Sequence, residues 1–516
     1  MILYWRVSAQ QEVRNMFTRR HFFFGSLLAG AVPAGGFGST ASLKALGYKS
    51  PNEKLNIASI GAGGKATSDI RACASTENIV ALCDVDDVSA ATIFTQFDKA
   101  PKYRDFRKML DKEGGSIDAV IVTIPDFMHA TAATRCMERG KHVYVQKPLT
   151  RTIWEARQLA ETAAKYNVAT QMGNQGYSYE GTRQCAEMIW SGAIGNVTEV
   201  HAWTDRPIWP QGLTDVPAEE PAPSSLDWDL WLGGAAARPY TSGGAKYAKE
   251  KYKFYNPFNW RGFYDFGCGA LGDMACHILG ASNMALRLGA PTSVECIKKE
   301  GTSNMMFPVS SVIRFEFPAR GSMPAVKLFW YDGLKVQPKI PGVPENEYLG
   351  DLPRLPRPEG VPPPAPAPEG GDGRQPQGQV FTWSDTYLPS APRPARLPTP
   401  DGSVLIGEKG MISTGTYGEN TRLLPVERMR DYKFPPGVLT RSPGHYRDWI
   451  RACKGGEPAC SNFNVASPFT EWILLGVIAT RVEGKLEWDS AKMRFTNNND
   501  ANKYIKPTFR KGWSLS

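Results

Sequence analysis

A glycine-rich turn between a predicted strand and a predicted helix has the spacing that binds dinucleotides. Residues 55–60 are mostly apolar, as in a buried strand, and Gly61, Gly63 and Ala66 follow in the pattern G-x-G-x-x-A. The first glycine permits a tight turn, the second lets the backbone approach a pyrophosphate, and the third small residue lets helix and strand pack closely. The N-terminus of the helix offers N–H groups and a positive dipole end to the phosphates. We therefore predict that a dinucleotide binds at Gly61, Ala62, Gly63 and Gly64.

A carboxylate at the end of the next predicted strand favours one of the two nicotinamide dinucleotides. Asp84 lies 23 residues after Gly61 and ends the segment 79–84. A carboxylate in this position accepts hydrogen bonds from the ribose hydroxyls. It would also repel a 2′-phosphate, and Asp86 and Asp87 add to that repulsion. We therefore expect NAD rather than NADP.

Two further segments end predicted strands and should lie at the same edge of the sheet. The first carries Pro125 and His129, and the second carries Gln146 and Lys147. Ligands of open α/β sheets bind outside the carboxyl ends of the strands. These four residues are therefore candidates for the cofactor site.

The predicted strands that position these residues show two different patterns of apolar and polar residues. Continuous apolar strands alternate with helices up to residue 176, which predicts a doubly wound parallel sheet, a Rossmann domain at 51–176. After that point the strands alternate in polarity, which predicts an α+β domain at 177–516 with a large, mostly antiparallel open sheet. The segment 338–400 holds 17 of the 40 prolines and is predicted to be a surface insertion. The predicted strands are 55–60, 79–84, 118–124, 142–145 and 168–172, then 197–203, 293–298, 311–317 and 325–331; a helix is predicted at 468–482.

The first 50 residues resemble an export signal rather than part of a fold. The segment 18–24 carries Arg19 and Arg20 followed by an aromatic run, as in a twin-arginine signal. The apolar stretch 22–38 is shorter than the roughly 20 residues of a membrane span, so no integral span is expected. We predict export of the folded protein by the twin-arginine machinery to the periplasm or beyond the cell. An ordinary secretory signal and a disordered tail are the alternatives.

The charge and the cysteine content of the chain limit the kinds of ligand and partner that are expected. The 60 Lys and Arg against 51 Asp and Glu give a net charge of +9. These charges form no basic stripe, so we expect no nucleic acid partner. Nine cysteines occur without metal-ligand spacing, so no metal is expected either. Cys453 and Cys460 flank a short loop, and the sequence leaves open whether they form a disulfide.

Three motifs together resemble the Gfo/Idh/MocA family of oxidoreductases, the glucose–fructose oxidoreductase, inositol dehydrogenase and rhizopine catabolism proteins. They are the glycine turn with Asp84, the segment 142–149 with Lys147, and the segment 269–277 with Asp273 and His277. The segments 172–175 and 259–262, with the leader, resemble an exported bacterial branch of that family. The resemblance implies the two-domain fold, a bound nicotinamide cofactor, Asn174 in the cofactor site, and a homo-oligomer.

The resemblance also implies catalytic roles for three residues. Lys147 would lie beside the nicotinamide and bind the substrate hydroxyl, and His277 would exchange that hydroxyl's proton. Asp273 would bind a neighbouring hydroxyl or orient the imidazole. Residues four apart on a helix share a face, so Asp273 and His277 can point into one pocket, and an imidazole suits proton transfer near neutral pH.

One residue departs from the family pattern. Gln146 stands where the motif Glu-Lys-Pro has its carboxylate. The amide keeps the shape and hydrogen bonding of the carboxylate, but it removes one anion expected near Lys147. The reaction either differs from simple dehydrogenation or tolerates the amide.

The substrate side is predicted from residue type. Aromatic rings stack on sugar faces, and arginine donates to hydroxyls or carboxylates. Ordinary packing is the alternative for each residue. The candidates are Trp209, Trp260, Arg261 and Tyr264.

These observations support three hypotheses. The first is an NAD-dependent oxidoreductase acting on a secondary hydroxyl of a sugar or glycoside. The second is a redox-neutral, NAD-dependent glycoside hydrolase, and the third is a non-catalytic NAD-binding protein. Export favours tightly bound NAD that is recycled within each turnover, because free cofactor is scarce outside the cytoplasm.

Overall fold

The computed structural model describes residues 53–247, 249–344, 347–351 and 401–515. The predicted leader, residues 1–50, lies outside the described residues. The same is true of residues 352–400 of the predicted Pro-rich insertion. Within the described ranges, no helix is both long and apolar enough to cross a membrane.

A sheet of six parallel strands carries the glycine turn. Its strands are β1 (Asn56–Ile60), β2 (Asn78–Cys83), β3 (Lys102–Tyr103), β4 (Ala119–Val122), β5 (His142–Val145) and β6 (Thr170–Met172). The helices between them are α1 (Lys65–Ala74), α2 (Asp87–Gln96), α3 (Phe106–Glu113), α4 (Asp126–Met137) and α5 (Ile153–Tyr166). The strand order is β3-β2-β1-β4-β5-β6, which confirms the doubly wound sheet. The order reverses between β1 and β4, and a crevice for ligands is expected there.

Local sequence explains where these elements begin. The strand β4 is wholly apolar, β1 is mostly apolar, and both are almost wholly buried, as expected for a sheet covered on both faces. The side chain of Asp86 accepts a hydrogen bond from the Val88 amide and caps α2, and Asp105 caps α3 in the same way. Thr152 and Glu155 form a capping box at the start of α5. These caps fix the helices that cover the sheet.

One helix on this sheet comes from far along the chain. The helix α11 (His445–Cys453) packs beside α1, and its Tyr446 and Trp449 share a buried cluster with Tyr144 of β5. The ring centroids of Tyr144 and Trp449 are 5.7 Å apart. The face of the first sheet is therefore completed by residues about 300 positions later than β5.

The second sheet has nine strands and is mostly antiparallel, as predicted. Its order is β13-β12-β11-β7-β10-β9-β8-β14-β15, and β7 and β10 form the parallel pair. The strands are β7 (Val197–Trp203), β8 (Ser293–Glu300), β9 (Ser310–Phe317), β10 (Val326–Asp332), β11 (Gly402–Gly407), β12 (Gly410–Thr414), β13 (Arg422–Leu424), β14 (Leu486–Asp489) and β15 (Arg494–Phe495).

The remaining helices pack between and around the sheets. They are α6 (Glu180–Trp190), α7 (Trp228–Leu232), α8 (Gly244–Tyr247), α9 (Gly269–Ile278), α10 (Gly280–Leu286), α12 (Phe463–Ala479) and α13 (Asn499–Asn502), with 3₁₀ turns at Gln175–Ser178, Asn259–Gly262 and Val426–Met429. The helix α12 begins five residues before the predicted 468–482, because Asn462 caps it and Pro468 lies inside it. One large apolar core joins α4, α5, α9 and α12.

The cysteines are free thiols. Cys453 is buried in α11, and the Cys460 thiol lies 3.2 Å from the Ser178 hydroxyl. The disulfide that the sequence left open is therefore not formed in this structure.

Candidate active site

A cavity of about 670 Å³ connects the glycine turn with the helix that carries Asp273 and His277. It lies at the carboxyl edge of the first sheet, where the strand order reverses. Its volume is in the range of small-molecule and cofactor sites. The sequence-predicted residues that line it are Gly61, Gly63, Gly64, Asp84, Pro125, Gln146, Lys147, Trp260, Arg261, Asp273 and His277.

The glycine turn fits the phosphates of a dinucleotide. A Cβ on Gly63 would lie 2.1 Å from the Ser89 hydroxyl oxygen, so only glycine lets the turn approach α2 this closely. Gly64 has φ +55 and lines the cavity, and no atom lies within 4 Å of the position its Cβ would take. The helix α1 begins at the next residue. The turn therefore leaves open space at a helix N-terminus, as anion binding requires.

The carboxylate of Asp84 shapes this turn. One of its oxygens accepts hydrogen bonds from the amides of Ala62 (2.8 Å) and Gly63 (3.1 Å), and the other accepts from the Asp86 amide (3.0 Å). Burial raises the pKa of Asp84, and the three amide bonds oppose that rise. A carboxylate has about four acceptor positions, so the ribose contact predicted for Asp84 remains compatible with these bonds.

Lys147 is held in an ion pair across the cavity. It follows β5, and its Nζ donates to Asp273 Oδ1 at 2.9 Å and to the Asp273 carbonyl at 3.0 Å. The Arg261 Nε lies 3.3 Å from the same carboxylate oxygen. Asp273 therefore supplies the anion that Gln146 was expected to remove from Lys147.

The pKa of Asp273 reflects its two cationic neighbours. Burial alone would raise it, but the Lys147 and Arg261 charges outweigh burial and hold the pKa well below its ordinary range. Asp273 is therefore an anion at any pH near neutrality. Its Oδ1 lies beside both the Lys147 ammonium and the Arg261 guanidinium, so this carboxylate can hold the lysine in place.

His277 lies on the same helix, α9, one turn after Asp273, and lines the cavity. Its ring lies against the Tyr417 ring, with centroids 4.7 Å apart. Tyr417 also lines the cavity, from a loop between β12 and β13. The imidazole is thus brought to the cavity that holds the Lys147 ammonium.

A buried carboxyl was missed by the sequence reasoning. Asp126 is the first residue of α4 and lines the cavity at 5% exposure. Burial and the nearby Asp273 carboxylate raise its pKa to about 7, against the opposing charges of Arg261 and Lys147. The signal was present, since Asp126 follows Pro125 at the carboxyl end of a strand.

Three residues predicted to bind the cofactor are buried behind the cavity wall and do not line the cavity. Both ring nitrogens of His129 lie within hydrogen-bond distance of carbonyls, Nδ1 2.9 Å from Pro148 and Nε2 2.7 Å from Ile124. Burial lowers the pKa of His129 to about 4, and the hydrogen bonds to the two carbonyls oppose that fall. Asn174 is fully buried and accepts from the Ser461 hydroxyl, and Ala62 is also fully buried.

The four predicted substrate residues divide into two pairs. Trp260 and Arg261 line the cavity, and Arg261 lies over the Trp260 ring at 4.3 Å. Trp209 is buried behind the wall, where it donates to Gln211. Tyr264 packs against Phe307 and beneath Arg481, in a second, smaller cavity. Predicting contacts from residue type did not distinguish these two environments.

Aromatic residues that the sequence did not single out complete the wall. They come from six separate segments of the chain, so no local spacing linked them. They are Phe106, Tyr179, Trp231, Phe258, Tyr417 and Trp513.

Two family models match parts of this chain. A model described as "Oxidoreductase family, NAD-binding Rossmann fold" matches residues 55–174, and one described as "Oxidoreductase family, C-terminal alpha/beta domain" matches residues 189–298. Both models belong to the Gfo/Idh/MocA group.

Similar curated proteins include two kinds. A glycosyl hydrolase family 109 protein of Solibacter usitatus is 31% identical over 183 residues, which cover 33% of this chain and 41% of that protein. The rhizopine catabolism protein MocA of Rhizobium meliloti is 24% identical over 156 residues, 30% of this chain and 49% of that protein. The matches thus span less than half the length of either relative.

Among solved structures, the WlbA dehydrogenase of Bordetella pertussis, in complex with NADH and UDP-GlcNAcA, is similar with a TM-score of 0.53. The match has 13% sequence identity and covers 85% of this chain and 99% of that one. At this identity the likeness shows a shared fold.

Proposed function

This chain belongs to the Gfo/Idh/MocA family of oxidoreductases, with an NAD-binding Rossmann fold, and we propose that it oxidises a secondary hydroxyl of a sugar or glycoside. NAD stays tightly bound and is restored within each turnover. The observation that carries this proposal is the single cavity lined by the glycine turn, Lys147 and His277.

The side chains support a division of roles. NAD, when bound, supplies the acceptor for the hydride that leaves the carbinol carbon. His277 accepts the hydroxyl proton, since an imidazole exchanges protons near neutral pH. The Lys147 ammonium donates a hydrogen bond to the oxygen as it gains negative charge. Asp273 holds that ammonium in place through the 2.9 Å ion pair.

The aromatic wall supports a sugar as the substrate. Trp260 and Tyr417 line the same cavity as Lys147, and aromatic rings suit the apolar faces of sugars. Arg261 adds hydrogen-bond donors for hydroxyl groups.

Similarity to family 109 hydrolases favours a second candidate, redox-neutral glycoside cleavage. In that reaction a ring hydroxyl is oxidised, which acidifies the neighbouring C–H. The glycosidic oxygen is then eliminated, water adds to the double bond, and the carbonyl is reduced again. No net redox change results, so no external cofactor is needed.

Export and assembly are part of the proposal. The twin-arginine motif at 18–24 supports transport of a folded, cofactor-loaded protein to the periplasm or beyond. Fusion of residues 1–50 to a reporter tests this, with Arg19→Lys/Arg20→Lys as the control; export of the control as well would contradict it. A homo-oligomer follows from the family resemblance, and light scattering of the purified chain tests it.

The experiment is a screen of sugars and glycosides against the purified chain without added cofactor. Products and the absorbance of bound NADH are recorded together. We expect NAD to copurify and bound NADH to form with a sugar substrate. Cleavage with solvent deuterium on a ring carbon identifies the hydrolase, whereas cleavage without deuterium excludes it. A cofactor-free preparation that binds NAD only at millimolar concentration contradicts tight binding.

A further inference from the structure

The amide of Gln146 is paired with a buried carboxylate on another element. Gln146 Nε2 donates to Asp69 Oδ2 at 2.9 Å, and Asp69 lies on α1, the helix that begins at the glycine turn. Both side chains are buried, Asp69 at 0% and Gln146 at 5% exposure. The oxygen of the same amide, Oε1, accepts from the Lys147 backbone amide at 3.2 Å. The orientation of the Gln146 amide is therefore fixed at both ends.

Asp69 is a hub of hydrogen bonds. Its Oδ1 accepts from Lys65 Nζ (2.7 Å) and the Tyr446 hydroxyl (2.6 Å). Its Oδ2 accepts from the Thr123 hydroxyl (2.9 Å) in addition to Gln146. The Asp69 carboxylate thus forms hydrogen bonds with residues beside the cofactor turn, at the end of β4, at the end of β5 and on the distant helix α11.

The surroundings leave the Gln146 side chain little freedom. A Cβ on Gly173 would lie 2.7 Å from the Gln146 amide carbon and oxygen, so the amide is clamped against the end of β6. A glutamate with the same orientation would place an oxygen where Nε2 now lies 2.9 Å from Asp69 Oδ2. Two buried carboxylates at that distance cannot both ionise, so this site accepts an amide opposite a carboxylate.

We propose that Asp69 and Gln146 are a pair of positioning residues, in which the carboxylate on α1 orients the Gln146 amide and through it sets the backbone position of Lys147 relative to the cofactor turn. Lys147 is then held at both ends, its backbone by this pair and its ammonium by Asp273. The proposal rests on the proposed role of Lys147. It explains why the amide at position 146 is compatible with an active site, because the negative charge is carried by Asp69.

Exchange of the two groups tests the pair. The variants are Gln146→Glu, Asp69→Asn and Asp69→Asn/Gln146→Glu, with Gln96→Glu on the exposed face of α2 as the matched control. In the double variant the new amide at position 69 donates to the new carboxylate at position 146, and the Thr123 hydroxyl can turn to accept. Lys65 is 41% exposed, so water can solvate its charge.

The first measurement needs no turnover. The unfolding temperature of the full chain with NAD is followed from about pH 5 to pH 8. In Gln146→Glu the folded pair holds a proton that the unfolded chain releases, so stability falls as pH rises. We expect this extra slope in Gln146→Glu and its absence in the double variant, Gln96→Glu and the wild type. If the unfolding temperature of Gln146→Glu depends on pH in the same way as that of the wild type, the pairing is overturned.

The second measurement is kcat and KM with the substrate found in the screen. Gln146→Glu should lose about 100-fold in kcat, the cost typical of displacing a reacting group by about 1 Å, with KM little changed. The double variant should recover most of that loss. Failure to recover overturns the proposal. If Gln146→Glu does not fold, a double variant that does fold supports the pair. A double variant that also fails to fold overturns it. If the wild type has no turnover, the proposed function fails while the unfolding profiles still decide on the pair.

Discussion

The Lys147 ammonium and the Asp273 carboxylate form an ion pair, with Nζ 2.9 Å from Oδ1, between the end of a Rossmann strand and a helix of the second half of the chain. Both side chains are mostly buried, at 16% and 13% exposure. The pair therefore fixes the geometry between the cofactor turn and His277. Substitutions at this pair and at its neighbours have distinct expected effects.

Replacing Lys147 should separate chemistry from cofactor binding. In Lys147→Met the donor to the reacting oxygen is lost, and we expect kcat to fall by about 100-fold or more, as for loss of an oxyanion donor. The amount of copurified NAD should stay close to the wild-type value. Turnover and bound NAD are measured on the same preparation, with the exposed Lys492→Met as the control. Wild-type kcat in Lys147→Met would show that the lysine has no part in the reaction.

Asp273→Asn should destabilise the fold in a pH-dependent way. Because the pKa of Asp273 is held below its ordinary value of 3.8, its stabilising charge is present above that value and is lost on acidification. Removing one partner of a buried pair costs about 3 kcal/mol. We expect that difference from wild type in urea unfolding at neutral pH, and a smaller one below about pH 4, where the unfolded carboxyl is protonated. A difference that grows on acidification would reverse the assignment.

Asp126→Asn should show the opposite trend. The folded pKa of Asp126 is about 7, so the folded state keeps a proton that the unfolded carboxyl releases above its ordinary value of 3.8. The free energy of unfolding of the wild type therefore falls as the pH rises from the ordinary pKa to the folded pKa, and it levels off above about pH 7. The variant, which has no carboxyl, should gain about 2 kcal/mol relative to wild type between pH 5 and pH 8. Urea unfolding at both pH values measures this gain, and the exposed Asp98→Asn should show none.

Gly63→Ala should weaken NAD binding severely. Its Cβ would lie 2.1 Å from the Ser89 hydroxyl oxygen and 2.7 Å from the Ser89 carbonyl oxygen. The turn or α2 must then shift, and Ser89→Gly cannot relieve the backbone contact. We expect loss of copurified NAD and a lower unfolding temperature. Gly115→Ala, where no atom lies within 4 Å of the added Cβ, should leave both unchanged. NAD binding retained in Gly63→Ala would show that the turn is not the phosphate cradle.

The sequence predicted which candidate residues lie together wherever those residues are close along the chain. The glycine turn and Asp84 lie within one strand–turn–helix–strand unit, so their spacing alone relates them in space. Asp273 and His277 lie one helical turn apart and both line the cavity. The five longest strands of the first sheet were also predicted, because buried parallel strands are usually rich in apolar residues.

Contacts between distant segments were not predictable in this way. From the sequence, Gln146 removed the anion expected beside Lys147. In the structure, Asp273, 126 residues later in the chain, pairs with Lys147, and Asp69, 77 residues earlier, accepts a hydrogen bond from Gln146. Trp209 and Trp260 look alike in sequence, but only Trp260 lines the cavity. The helix α11 covers the first sheet from the far end of the chain.

The amino-acid sequence by itself determined the fold class, the cofactor turn and the motifs that carry Lys147 and His277, because strand and helix periodicity and turn chemistry act over a few residues. Only the tertiary structure decided which charges meet. Ion pairs such as Lys147–Asp273 and buried bonds such as Gln146–Asp69 depend on packing between elements distant in the chain. Burial also set the pKa values of Asp126 and His129, and the environment of a side chain is known only when the whole core is assembled.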